Sequence, residues 1–201
     1  MLVIGIAGGV ASGKSLVAKQ LEALGAVTVD ADCIAHEVLE AAEVREAIGE
    51  RWGEAVFDAA GRVDRGAIAR RVFAPPPDGP TELEYLESLS HPRIRRLLEQ
   101  QISELAVAKA PAAILDAAVM FKAGWDRLCD KIIFVEAPRR VRLSRVLERG
   151  WTEEEFVRRE ASQTSLEEKR ELSDLVLDNS GTAEALEAQV NQLWRDVAAA
   201  D

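Results

Sequence analysis

Leu2-Val3-Ile4-Gly5-Ile6-Ala7-Gly8-Gly9-Val10-Ala11-Ser12-Gly13-Lys14-Ser15 is the stretch that decides the fold. Leu2 to Ala7 is a continuous apolar run, as expected of a strand covered on both faces, and from Leu16 the apolar residues recur at helical spacing. Between them Gly8 to Ser15 matches G-x-x-x-x-G-K-[ST] in the strand-loop-helix context that this pattern requires. The glycines let the backbone curl without side-chain clash, so that its N–H groups and the next helix N-terminus face a phosphate. Lys14 adds a charge at the β and γ phosphates, and the Ser15 hydroxyl stands where it can ligate Mg²⁺. Gly8, Ala11, Ser12, Gly13, Lys14, Ser15 and Leu16 are therefore candidate ATP-binding residues, with Lys14 also catalytic and Ser15 the metal ligand.

Four more short apolar runs follow: Ala26 to Val29, Ala112 to Leu115, Lys131 to Val135 and Leu175 to Leu177. Helical patterns separate them, at Leu16 to Leu24, Ile34 to Ile48, Leu83 to Lys109, Arg139 to Arg149, Glu153 to Leu172 and Ala183 to Ala198. This alternation predicts a three-layer α/β fold around a five-stranded parallel sheet. The gap from Asp32 to Pro111 is too long for one crossover and holds no convincing strand, so a helical insertion is expected there. Gly49, the Asp58 to Gly61 turn, the loop Pro75 to Pro80 and His91-Pro92 punctuate it. Arg139 to Ser173, with two helices around Gly150-Trp151, reads as a lid. The expected division is a nucleotide-binding core at 1–31, 111–138 and 172–201, an acceptor-binding insertion at 32–110 and a lid at 139–171.

The chain of 201 residues carries 35 Asp plus Glu against 25 Lys plus Arg, a net charge of −10. That excess disfavours duplex nucleic acid and anionic lipid as partners, so any anionic ligand must be met locally. Cys33 and Cys129 are isolated, without metal-ligand spacing, which fits a reduced compartment. The start lacks a basic n-region, and no apolar run reaches membrane-spanning length; a cytoplasmic protein, monomeric or a weak homo-oligomer, is expected.

A phosphate-binding loop does not say what is done with the nucleotide. A guanine-reading Asn-Lys-x-Asp is missing, and Asp58-Ala59-Ala60-Gly61 sits inside the insertion rather than after a strand, which disfavours a GTPase. A motor or transport ATPase would need more chain. A small kinase acting on a metabolite fits, and it needs a carboxylate base and arginines for the phosphates. Asp32 follows the carboxyl end of the second strand, where ligands bind in open α/β sheets; as an isolated acid it also reads as a helix cap. Arg139, Arg140, Arg142, Arg145 and Arg149 form a basic island, with Arg142, Arg145 and Arg149 on one helical face. Arg159 and Gln163 share a face of the following helix, and His36 and the scattered tryptophans Trp52, Trp125, Trp151 and Trp194 read as packing or surface residues.

The ordered set of these residues resembles the dephospho-CoA kinase family over nearly the full chain. It comprises the loop, Val29-Asp30-Ala31-Asp32, Asp64-Arg65, His91-Pro92-Arg93-Ile94, Leu115-Asp116, Arg145 to Arg149, Arg159 to Gln163, Lys169, and Ser173-Asp174 to Asn179-Ser180-Gly181. The resemblance implies a P-loop kinase fold, ATP with Mg²⁺ as donor, and the ribose 3′-hydroxyl of dephospho-CoA as acceptor. It makes Asp32 the base, Arg145 and Arg149 catalytic, Arg65, His91 and Arg93 acceptor-binding together with Asp32, and Asn179 and Gly181 neighbours of the adenine. Ala117-Ala118-Val119-Met120-Phe121-Lys122 departs from the family pattern, so no role passes to Lys122. The alternatives left open are a kinase for another small acceptor, such as a nucleoside monophosphate, and a non-catalytic ATP-binding regulator.

Overall fold

In the computed structural model, which describes residues 1–198, the N-terminal apolar run becomes the middle of a sheet. Residues 199–201, the end of the segment read as 172–201, lie outside the described residues. The strands are β1 (Leu2–Gly8), β2 (Val27–Asp30), β3 (Ala112–Asp116), β4 (Lys131–Glu136) and β5 (Leu175–Asp178). All pair in parallel, in the order β2-β3-β1-β4-β5. The central strands bury nearly every residue, and the outer strands leave Val27, Leu175 and Val176 exposed, which is why only the inner ones need unbroken apolar runs. Two aspartates extend the ladder at the strand starts: Asp130 accepts the Val3 N–H at 2.8 Å and Asp174 that of Ile132 at 2.7 Å.

The chain divides into two compact units, Met1–Asp30 with the chain from Gln101 onward, and Ala31–Gln100. In the first, helix α1 (Lys14–Ala23) places Val17 and Leu21 against Ile4, Ile6, Ile114, Ile133 and Val135, alternate residues of the sheet. The C-terminal helix, Ala183–Ala198, adds Leu186, Val190 and Leu193 to that core.

The second unit is helical. It comprises α2 (Ala31–Glu40), α3 (Ala42–Trp52), α4 (Arg65–Val72) and most of α5 (Asp78–Val107). The single helix expected from Ile34 to Ile48 is two, because Ala41 is extended at ψ 139° and Glu40 turns its carboxylate to accept the Val63 N–H at 3.1 Å. That tie is invisible to local periodicity. Asp64 starts α4 by accepting from the Gly66 and Ala67 N–H groups. The Asp58 to Gly61 turn joins Phe57 and Val63 in an antiparallel bridge, and the Asp58 carboxylate takes the Ala60 and Arg62 N–H groups, a structural use of that sequence.

His91-Pro92 does not break α5. Pro92 removes the N–H that would serve Ser88 O, yet the helix continues through it; beside it Ser90 Oγ donates to Leu86 O and Arg93 Nη1 to Leu89 O, each at 2.7 Å. Likewise Asp78-Gly79-Pro80 belongs to the first turn of α5, where proline is tolerated.

The stretch read as a two-helix lid holds three: α6 (Arg139–Glu148), α7 (Glu153–Ala161) and α8 (Leu166–Glu171). Thr152 and Glu155 form a reciprocal cap on α7, and Ser165 restarts the chain as α8 by accepting the Glu168 N–H. The C-terminal helix is α9 (Ala183–Ala198). Leu21, fully buried between α1 and the sheet, measures how much of the fold rests on this core. Leu21→Ala is expected to lower the unfolding free energy by about 2–5 kcal/mol in denaturant titration; a loss under about 1 kcal/mol would contradict the packing described.

Candidate functional site

The loop from Gly8 to Lys14 turns at residues that need unusual backbone angles: Gly8 has φ 149°, Ala11 φ 58° and Gly13 φ 107°. A Cβ on Gly13 would stand 2.0 Å from Asn179 Nδ2, and one on Gly8 2.7 Å from the Val135 carbonyl. Both the angles and the close approaches require glycine there.

A loop that turns its N–H groups toward an anion turns its carbonyls the other way, and those carbonyls need donors. Each has one. Lys14 Nζ donates to Gly8 O and Gly9 O at 3.3 and 3.1 Å. Arg142 Nη1 reaches Val10 O at 3.4 Å. Arg145 Nη1 donates to Ala11 O and Ser12 O at 3.3 and 3.1 Å, and Asn179 Nδ2 donates to Ser12 O at 2.7 Å. Gly13 O accepts from the Leu16 and Val17 N–H groups at the start of α1.

Arg145 and Asn179 also hold each other: Arg145 Nη2 donates to Asn179 O at 2.9 Å and to its Oδ1 at 3.2 Å. Asn179, 3% exposed, is fixed in turn by its N–H on Glu136 O, which places the end of β5 against the loop. Ala11, Ser12, Gly13, Lys14, Ser15, Leu16, Arg145, Arg149 and Asn179 line one cavity of about 210 Å³. The structure thus brings together all the candidate nucleotide and lid residues except Gly8, which lines a neighbouring small cavity with Lys14, and Gly181, which is exposed outside both.

The arginine island divides by role. Arg139 pairs with Glu153 and Glu160, and Arg140 is exposed. Arg142, 3% exposed, pairs with Glu160 at 2.6 Å, donates to Ala137 O and lies over the Phe156 ring, tying α6 and α7 to the loop. The Arg142 contact set was missed by sequence reading, because Glu160 lies in the next helix. Arg159 and Gln163 do not act as one face: α7 ends at Ala161, Arg159 stacks on Trp151 at 4.0 Å, and Gln163 accepts a hydrogen bond from Lys169.

In the helical unit, Asp32 lies exposed in the first turn of α2, two residues beyond the carboxyl end of β2. Arg65 Nη1 donates to His36 Nε2, and both line a cavity of about 370 Å³ with Leu39, Glu40, Asp58, Arg62 and Val63. His36, read from sequence as a surface or subdomain residue, therefore shares a pocket with an acceptor candidate. His91 and Arg93 are not among its lining residues, and Arg93 is engaged with Leu89 O of its own helix.

A parallel five-stranded sheet, a phosphate-binding loop after its central strand and an arginine-bearing helix braced on that loop define a P-loop kinase. A family model described as dephospho-CoA kinase matches residues 2–185. The chain is 39% identical over 198 residues to dephospho-CoA kinase of Geobacter metallireducens, covering 98% of this chain and 96% of that one. A solved structure, TT1252 from Thermus thermophilus, is 36% identical, with a TM-score of 0.81 over 97% of each chain. Dephospho-CoA kinase from Campylobacter jejuni shares the fold, at 22% identity and a TM-score of 0.74 over 98% of each chain. The chain belongs to the dephospho-CoA kinase family.

Asn179→Ala leaves Ser12 O with one donor fewer and frees one side of Arg145. It is expected to weaken Mg-ATP binding about tenfold, a loss of one buried hydrogen bond's worth of loop order. Calorimetric titration checks this, and an unchanged Kd would show that the brace does not shape the loop.

Proposed function

We propose that this chain transfers the γ-phosphoryl group of ATP to the ribose 3′-hydroxyl of dephospho-CoA, giving CoA and ADP, the last step of CoA biosynthesis. Membership of the family over nearly the whole chain carries this reading. In the step, the 3′-oxygen forms a bond to the γ phosphorus, the bond from that phosphorus to the β–γ bridging oxygen breaks, and the hydroxyl proton passes to a base. Such transfer depends on alignment and on neutralising the phosphate oxygens.

The loop amides bind the β phosphate, and Lys14 turns from Gly8 O and Gly9 O to the β and γ oxygens. Arg149 meets the nucleotide at the cavity rim, and Arg145 keeps the loop carbonyls turned away while lining the same cavity. The chain from Asn179 to Gly181 borders the adenine. Asp32 takes the proton of the acceptor hydroxyl, and Arg65, His91 and Arg93 bind the acceptor, with the Arg65 pocket as the best supported part of that assignment.

The residues at the loop suit magnesium. Ser15 opens α1 at the cavity with its side chain exposed, and Ser12 Oγ nearby is buried without a protein partner. Among the described residues no group of three or more His, Cys, Asp or Glu could hold a metal ion alone, so the ion would be held by Ser15, phosphate oxygens and water, a set that suits Mg²⁺. Bound there, it neutralises charge on the β and γ oxygens. A reduced, cytoplasmic setting belongs to this reading: Cys33 and Cys129 form no disulfide. No helix among the described residues is long and apolar enough to cross a membrane.

The protein incubated with Mg-ATP is expected to release ADP when dephospho-CoA is added, and not with nucleoside monophosphates or without acceptor. Release that depends on a monophosphate, or no release, would refute the reading. Asp32→Asn should lower kcat by about 10²–10⁴ with little change in KM, as loss of a general base does. An unchanged kcat would remove Asp32 from the chemistry. Lys14→Ala should lower kcat/KM by about 10²–10³, the scale of a lost transition-state charge contact.

A further inference from the structure

Lys169, in α8, is a buried cation that neither the loop brace nor the roles above employ. It is 4% exposed, and its ammonium makes one hydrogen bond, to the neutral Gln163 Oε1 at 2.8 Å. An ammonium has three donors, so two remain without a partner among the described residues. It lines a small cavity of about 20 Å³ at the carboxyl ends of β1 and β3, shared with Gly8, Lys14, Gln163 and the chain from Ala117 to Phe121. Room for about one water remains.

The charges facing Lys169 have the wrong sign to explain its burial. Lys14 from the phosphate loop and Arg142 from α6 both act on it as cations, and Arg142 is already paired with Glu160. Strand β1 and residues 117–121 carry no charged side chain; Asp116, which ends β3 in register with Ile6, and Lys122 flank that stretch and are not among the residues lining the cavity. On its own helix Glu167, Glu168, Arg170 and Glu171 are exposed, with Arg170 paired to Glu136. Burial, reinforced by Lys14 and Arg142, brings the ammonium down to about 8. A buried cation beside other cations costs stability unless an anion joins them, and the anion that belongs beside Lys14 is a phosphate.

We propose that Lys169 is a further catalytic residue: its ammonium, in the cavity it shares with Gly8 and Lys14, contacts the phosphoryl group in transit and shares its charge with Lys14. It forms and breaks no covalent bond; it acts on the equatorial oxygens as the bond to the β–γ bridging oxygen gives way to the bond to the acceptor oxygen. Gln163 holds the ammonium in place through its Oε1. The inference rests on the transfer reaction proposed above.

Its test compares K169M and K169R with the wild type. K169M is expected to lose about 100-fold in kcat, with ATP affinity and the KM for dephospho-CoA within a few-fold and a melting temperature no lower than wild type, because the cation removed was unfavourably buried. K169R should recover at least tenfold of that loss. The wild-type kcat/KM should fall as pH rises through about 8, where the free protein's Lys169 loses its proton, and K169M should lack that limb. A kcat for K169M within twofold of wild type overturns the proposal. So does a loss that follows a lowered melting temperature and that K169R does not relieve. If the wild type itself fails with dephospho-CoA but turns over another acceptor, the activity reading fails, and the same comparison on that acceptor still decides Lys169.

Discussion

The phosphate loop can present its amides to an anion only if its carbonyls are held on the other side, and that demand organises the surrounding structure. Four side chains meet it: Lys14 on Gly8 and Gly9, Arg142 on Val10, Arg145 on Ala11 and Ser12, and Asn179 on Ser12. They come from three parts of the chain, the start of α1, α6 and the residue after β5, so the order of the sheet matters to the loop. Strand β4 leads into α6 and its arginines, and β5, paired beside it, ends at Asn179.

Charge is arranged on the same principle. An acidic chain of net charge −10 gathers Lys14, Lys169, Arg142 and Arg145 around one loop, with Glu160 paired to the most buried arginine. The surplus of positive charge is local, short-ranged and partly dehydrated. There it acts strongly on phosphate, while the acidic exterior discourages other polyanions.

The loop, its strand and its helix were legible because the signals they carry are local: glycine at two of the three positive-φ positions, Gly8 and Gly13 but not Ala11, an apolar run, then helical spacing. The remaining strands were legible for the same reason. What escaped depended on distant partners. Nothing near Ala41 announces that the carboxylate of Glu40, the last residue of α2, will accept the Val63 N–H, and nothing local at His91-Pro92 announces that α5 runs through it. Arg145 stood out within its basic segment, but the division of labour between it and Arg142 depended on Glu160 and Asn179, in other elements. Lys169 appeared in the sequence as a family position without a role; its burial beside Lys14 gives it one. His36 looked ordinary until Arg65 was found against it.

The destination of the γ phosphorus distinguishes a kinase acting on dephospho-CoA from a protein that only hydrolyses ATP. ATP labelled at the γ phosphorus, incubated with the protein, magnesium and dephospho-CoA, should leave its label in the 3′-phosphate of the CoA formed. Label recovered only as inorganic phosphate, with dephospho-CoA unchanged, would contradict it.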